Sequence, residues 1–372
     1  MNTEQYNLLI LIIFSLGALI QLIYYLFIFM RFVIYKSKAE TEEKVPVSII
    51  ICAKNEAKNL DKYLPRILEQ NYTDYEVVVV NDCSVDETED VLKRYSLMYP
   101  RLRSTFIKED EKFTHGKKLA LTVGIKSAKN EWLLLTDADC YPENNHWLAT
   151  MAKHFVENKS IVLGYGGYRK KKGLLNMLIR FDTAIIALNY FSMALIGKPY
   201  MGVGRNMAYR KSLFFANKGF ASHFKLNSGD DDLFINEVAN KNNVIIEPYF
   251  EAHTRSEPEH SFDHWIEQKK RHFGTFVLYK KIHKFLLGTE IFSRFIFYIF
   301  FIWALILQDY WIVAVSVFFV RFISQLVVFK YTFSRLHERN LFLISPIFDM
   351  ILPIFNVEIY LSNIFSSKRQ WR

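Results

Sequence analysis

The stretch Leu8 to Tyr35 is almost uncharged and long enough to cross a bilayer as a helix. No other feature limits the fold as strongly, because it commits one end of the chain to an apolar environment. From Ile291 onward the chain turns apolar again, with Phe295–Leu307 and Trp311–Val320 nearly continuous. Between these ends lies a segment of ordinary charge content, roughly 250 residues long and able to bury a sizeable core. The 372-residue chain thus reads as a soluble domain flanked by membrane segments. The boundaries fall at residues 1–38, 39–288 and 289–372, with a charged linker at Ala39–Lys44 opening the middle part.

The first segment is too long for a cleaved signal peptide, and no basic region precedes it. Its cations, Arg31, Lys36 and Lys38, follow the apolar stretch. The positive-inside rule then puts the N-terminus outside and the central domain in the cytoplasm, at a multi-pass inner (cytoplasmic) membrane. A formal net charge of +9 needs no nucleic acid, since basic residues beside membrane helices meet an anionic leaflet. Three cysteines without paired spacing (Cys52, Cys83, Cys140) fit a reduced compartment.

Within the middle segment, Val47–Cys52 is a Val/Ile-rich strand that runs into a polar turn and a helix over Asn59–Gln70. "YEVVVVND" is a second strand, followed by a helix over Glu87–Tyr95. A strand near Ser104–Lys108, a helix over Lys117–Ser127 and the strand of "EWLLLTDADC" complete the alternation. Continuous apolar strands alternating with helices indicate a mostly parallel α/β sheet covered on both faces. Ligands of such sheets sit beyond the carboxyl ends of the strands, so Asn55, Asp82, Asp137 and Asp139 should face one crevice. In an extended backbone Asp137 and Asp139 leave the same face. Two such carboxylates repel each other unless a cation lies between them, and Mg²⁺ or Mn²⁺ takes oxygen ligands from protein and phosphate alike. Taken alone, an Asp-x-Asp pair is more often an ordinary polar loop.

The order of these motifs resembles that of family 2 glycosyltransferases with the GT-A fold, in a membrane-bound synthase-like branch, over roughly residues 45 to 275. The resemblance implies one N-terminal and about two to three C-terminal membrane helices around the GT-A sheet. It implies a nucleotide-sugar donor bordered by Ala53, Asn55, Glu56, Asp82, Lys117 and Asp137. Asp139, with Asp137, would hold a divalent cation. "YMGVGRNMAYRKSLF" would line the acceptor and sugar pocket through Gly204, Arg205 and Asn206; Gly202-Val203-Gly204 lacks the third glycine of a dinucleotide fingerprint. "NSGDDDLFINEVANK" would supply the base that deprotonates an acceptor hydroxyl. One register makes it Asp230; the other, preferred here, makes it Asp231, while at least one of the three aspartates caps a helix over Leu233–Asn240.

"SEPEHSFDHWIEQKKRHFGT" resembles the family's Gln-x-x-Arg-Trp segment, with His272 in place of the tryptophan. Gln268 and Arg271 would serve the donor and His272 the acceptor. The plainer alternative is an interfacial helix near residues 262–275, with Lys269, Lys270 and Arg271 among lipid head groups. His253 is a further candidate metal contact. Arg321, inside an apolar helix, should face protein rather than lipid. Leu341–Phe365, broken by Pro346 and Pro353, reads as a re-entrant or interfacial segment.

The expected activity is inverting transfer of a sugar to a lipid-linked, polyprenyl-phosphate or polysaccharide acceptor. A processive polysaccharide synthase is the alternative. A transporter is more remote, since there are few helices and no internal repeat, and so is a non-catalytic scaffold, since Asp137, Asp139 and Asp230–Asp232 are all present.

Overall fold

A computed structural model describes residues 3–37, 44–108, 116–226, 228–306 and 310–365. Lys38 and residues 39–43 of the expected linker lie outside the described residues, as do Gln308 and Asp309 between the two C-terminal apolar runs and the tail "SSKRQWR". The chain divides into two compact units, Lys36–Asn176 with Gly197–His260, and Met1–Tyr35 with Met177–Ile196 and Ser261–Arg372.

The first unit is an α/β sheet domain. Its strands in chain order are β1 (Val47–Ala53), β2 (Tyr75–Asp82), β3 (Leu102–Ile107), β4 (Trp132–Leu135), β5 (Cys140–Pro142), β6 (Ile161–Gly164), β7 (Gly166–Tyr168), β8 (Met207–Arg210), β9 (Val244–Glu247) and β10 (Thr254–Ser256). Seven form one sheet in the order β3-β2-β1-β4-β8-β6-β9. The run β3-β2-β1-β4 is parallel, and β8 is antiparallel to both β4 and β6. Every residue of β2 is buried, as its continuous apolar run requires. Helix Ala57–Leu68 turns Leu60, Leu64, Ile67 and Leu68 onto this sheet at helical spacing, where they join Ile49, Val77, Val79 and Leu134 in one core. A small sheet, β5-β10-β7, stands beside the large one.

The second unit is helical. Gln5–Ile34, Leu174–Leu195, Lys281–Ile306 and Trp311–Arg335 are each long and apolar enough to cross a membrane. Helix Leu174–Leu195 is not anticipated by the sequence reading; most of it is buried. Its two charged groups are met inside the unit: Arg180 pairs with Glu338 and Asn340, and Asp182 accepts from Lys269 Nζ at 2.7 Å. Lys269 is therefore buried in an ion pair rather than placed among head groups. The last segment is one helix, Ser345–Phe365, with Pro353 inside it. Pro346 does not break it, because a proline in the first turn removes no helical hydrogen bond.

Asp349 of this last helix meets Arg294 (2.8 Å) and Arg321 (3.1 Å), and accepts from Tyr298 Oη at 2.7 Å. Arg321, fully buried, also donates to Gln21 and Tyr298 at 3.0 Å and to Gln325; Arg294 also pairs with Glu290. Arg321 faces protein, as expected. Asp349→Ala would leave buried Arg321 without a carboxylate, while Arg294 keeps Glu290, so we expect a loss of about 3–5 kcal/mol. A clear fall in melting temperature in detergent, with a smaller fall for Asp349→Asn, checks this.

Candidate active site

The crevice forms where β1, β2 and β4 end. Ala53 pairs with Asn81 at the ends of β1 and β2, while β4 stops earlier, with Leu135 opposite Ile50 and the Thr136 N–H donating to Ile50 O. Each of the first two strands leaves through a left-handed residue, Asn55 at φ 57° and Cys83 at φ 55°. Asparagine tolerates that region; cysteine there is uncommon, a form of strain that concentrates at functional sites. The two loops are latched together. Asn55 N–H donates to Ser84 Oγ (2.9 Å), Val85 N–H to Asn55 Oδ1 (2.9 Å) and Ala57 N–H to Asp86 Oδ2 (3.1 Å). The Asn55 carbonyl thus fixes the rim. Asp82 is buried beneath it.

Lys117 opens helix Lys117–Ser127 after Gly116 and stands between two carboxylates, Asp137 Oδ1 at 2.8 Å and Asp230 Oδ2 at 3.1 Å. Burial works against its ammonium, but Asp137, Asp230 and Asp231 hold its pKa well above the usual lysine range. The neighbouring Lys118 is buried and donates to His223 O (2.6 Å) and Leu226 O (3.0 Å), which anchors the segment leading to the aspartate run. Lys117, Asp137, Gly204 and Asp230 line one small cavity with Cys52. The Cys52 thiol, raised first by burial, also feels Lys117, Asp137, Asp230 and Asp82, so these four charges surround one point.

The three aspartates take different positions. Asp230 is buried on Lys117, which more than offsets the effect of burial and lowers its pKa. Asp232 is buried in the helix start, its Oδ1 accepting from Leu233 N–H at 2.7 Å. Asp231 is partly accessible; it caps helix Asp232–Val238 and accepts from Gly204 N–H at 2.9 Å. Burial, then Asp230 and Asp232, push its pKa up to about 7 against Lys117 and the Gly204 N–H. A Cβ on Gly204 would sit 3.5 Å from Lys117 Nζ and 3.7 Å from Asp231 Oδ2, so this glycine keeps the floor between them open.

One ligand atom from each of Asp137, Asp139 and Cys140 lies within 4.8 Å of the others. Burial and then Asp137 raise the Asp139 pKa to about 6, the repulsion that a shared divalent cation relieves. Cys140 is buried and its thiol, pushed up first by burial and then by Asp139, donates to Asp139 Oδ1 at 3.3 Å. The donor set suits a hard cation on the two carboxylates, with Cys140 orienting one of them. The sequence reading took Cys140 only as a reduced thiol, although its place next to Asp139 was the available signal.

Two expectations are corrected. Asn206 is fully buried: it accepts from Trp147 Nε1 (2.9 Å) and donates to Tyr165 O (2.9 Å) and Ala252 O (2.6 Å), so it ties the wall together from behind. Asn206→Ala would leave those groups unpaired at about 1–3 kcal/mol each, and thermal melting of the variant tests this. His253 is spent on Pro248 O (2.9 Å) and stacks edge-on with Tyr165 and Phe250, outside the Asp137–Asp139 group. Gln268, Arg271 and His272 lie on helix Phe262–Phe276 of the helical unit, with Arg271 and His272 exposed.

Comparison with known proteins follows the same lines. Residues 48–216 match the model of glycosyl transferase family 2. Glycosyltransferase AglE of Haloferax volcanii is 36% identical over 104 residues, 27% of this chain and 33% of its own. The poly-beta-1,6-N-acetyl-D-glucosamine synthase of Staphylococcus epidermidis is 26% identical over 181 residues, 47% of this chain and 42% of its own. The chain thus spans a third to under half the length of these curated relatives. A solved structure of the mannosyltransferase PcManGT from Pyrobaculum calidifontis, in complex with GDP-Man and Mn²⁺, superposes with a TM-score of 0.64 at 18% identity, over 98% of this chain and 99% of that one. The shared architecture is the GT-A fold.

Proposed function

We propose, for a chain whose residues 48–216 belong to glycosyl transferase family 2, that it moves a sugar from a nucleotide-diphosphate donor to a membrane-associated acceptor, with inversion. The acceptor class is a lipid-linked sugar, a polyprenyl phosphate or a growing polysaccharide, met at the cytoplasmic membrane face. One observation carries the reading: Lys117 joins Asp137 at the donor end to Asp230 at the base end, with Asp231 alongside.

Ala53, Asn55, Glu56 and Asp82 border the nucleoside in this reading. Asp139 and Asp137 are the residues that would hold a divalent cation, which when bound offsets the charge of the departing diphosphate. Lys117, kept charged by its carboxylate neighbours, adds its ammonium to the same end. Asp231 takes the proton of the acceptor hydroxyl; the oxygen attacks the anomeric carbon as the bond to the diphosphate breaks. Asp230 holds Lys117 in place, and Gly204 leaves the approach to Asp231 free. A single displacement inverts the anomeric centre and needs no second nucleophilic carboxylate. Gln268 and Arg271 are assigned to the donor and His272 to the acceptor by their resemblance to the Gln-x-x-Arg segment.

The test is to incubate membranes carrying the protein with a panel of UDP- and GDP-linked sugars plus Mn²⁺ or Mg²⁺. One donor is expected to release its diphosphate, with its sugar recovered in the lipid or polymer fraction. No release from any donor would overturn the reading.

A further inference from the structure

Arg205 follows Gly204 in the wall of the crevice, where the sequence suggests an acceptor contact. Its surroundings differ from those of the other arginines nearby. Arg255 is matched by Glu143 at 2.6 Å, and Arg169 by Glu257 at 2.9 Å. Among the described residues, the Arg205 guanidinium has one polar contact, Ser256 Oγ at 3.5 Å, and lies over the Tyr168 ring at 4.3 Å. Asp139 and Asp137 are close enough to influence it electrostatically, without forming an ion pair. A guanidinium carries five N–H donors in a fixed fork that suits a phosphate. Most of that capacity is unused by protein groups.

The position is also built. The Arg205 carbonyl accepts from Thr136 Oγ1 (3.1 Å), at the end of β4, and from Thr254 Oγ1 (2.9 Å) of β10. Gly166 of β7 makes room for it, since a Cβ there would lie 2.8 Å from Arg205 Cβ. Tyr168, two residues on and buried, supplies the flat surface beneath the guanidinium. Stacking of this kind fixes the plane of the fork before any ligand arrives.

We infer that Arg205 is a phosphate-binding residue for the donor, gripping the diphosphate on the side opposite Lys117, rather than an acceptor contact. The inference rests on the nucleotide-sugar reading above and names a further group of the same site. The leaving diphosphate would then meet Lys117 and Arg205 as well as any ion held by Asp137 and Asp139.

The experiment measures binding of UDP, GDP, UMP and GMP to the purified full chain in detergent with Mn²⁺. Arg205→Gln should weaken the preferred diphosphate by about ten- to a hundred-fold and leave the matching monophosphate unchanged. Arg205→Lys should recover part of the loss. Gly166→Ala, which crowds the arginine without removing it, should show the same selective loss and stands in if Arg205→Gln does not fold. Unchanged diphosphate affinity together with a raised acceptor KM would overturn the inference while leaving the glycosyltransferase reading intact. A wild-type chain that binds neither UDP nor GDP would remove the donor reading and this inference with it.

Discussion

Asp231→Asn is expected to lower sugar transfer by about two to four orders of magnitude, with nucleotide affinity close to wild type. The Asp232 N–H bonds Oδ1 and the Gly204 N–H bonds Oδ2, so the single amide oxygen keeps one of these two bonds. The proton acceptor is lost with the other. The pH dependence separates Asp231 from its neighbours. Burial, Asp230 and Asp232 raise its pKa to about 7, opposed by Lys117, so the ionised base accumulates as pH rises through 7. Turnover should climb over that range and level off above it, and the variant should lose the limb. Asp230→Asn should also slow the enzyme, because Lys117 loses a partner, but should keep a limb, moved to lower pH because the Asp230 charge no longer raises Asp231. If instead Asp230→Asn abolishes the limb and Asp231→Asn preserves it, the base is Asp230. Asp231 also ties pH to stability. Its carboxyl titrates at 3.8 when unperturbed and at about 7 when folded, so the native state holds the extra proton between those values. Its contribution to stability is present below 3.8 and declines as pH rises towards 7.

Asp139→Asn should reduce kcat/KM by about 10²–10³ and abolish any rise in melting temperature on adding Mn²⁺. The carboxylate costs stability when no cation is present, because burial and Asp137 push its pKa up to about 6. A neutral amide removes that cost. The metal-free variant should therefore melt slightly above metal-free wild type at pH 7.5, while catalysing far less. A residue that merely held the loop together would give the opposite shift. Differential scanning fluorimetry with and without Mn²⁺, beside a diphosphate-release assay, reads both effects. A variant that melts lower and still responds to Mn²⁺ would exclude Asp139 as a ligand.

The parts of the fold legible in the sequence are those fixed by local pattern. The apolar runs of β1, β2 and β4 and the helix Lys117–Ser127 are set by neighbours a few residues away, and they appear as expected. Asp82 ends β2 and Asp137 follows β4, and both strands run parallel to β1, so both aspartates lie at carboxyl ends of the same sheet. Long-range partners decided what was missed. Helix Leu174–Leu195 carries Arg180 and Asp182 within an apolar run, which argues against a buried helix until Glu338 and Lys269 are known to meet them. Lys269 looked like a surface cation for the same reason. Asn206 sits in a motif that resembles a sugar-facing wall, yet Trp147, Tyr165 and Ala252, all distant along the chain, consume its amide. Arg205 and Asn206 are adjacent in sequence, yet Arg205 is partly exposed and Asn206 fully buried.

The polar cluster among the apolar helices has a further consequence. Its arginines, Arg294 and Arg321, are matched one for one by Glu290 and Asp349. Its formal sum of charge is zero, so a voltage across a surrounding bilayer would exert no net force on it, where a lone arginine would feel about 2.3 kcal/mol per 100 mV. Depolarising or energising the membrane should leave these helices where they are.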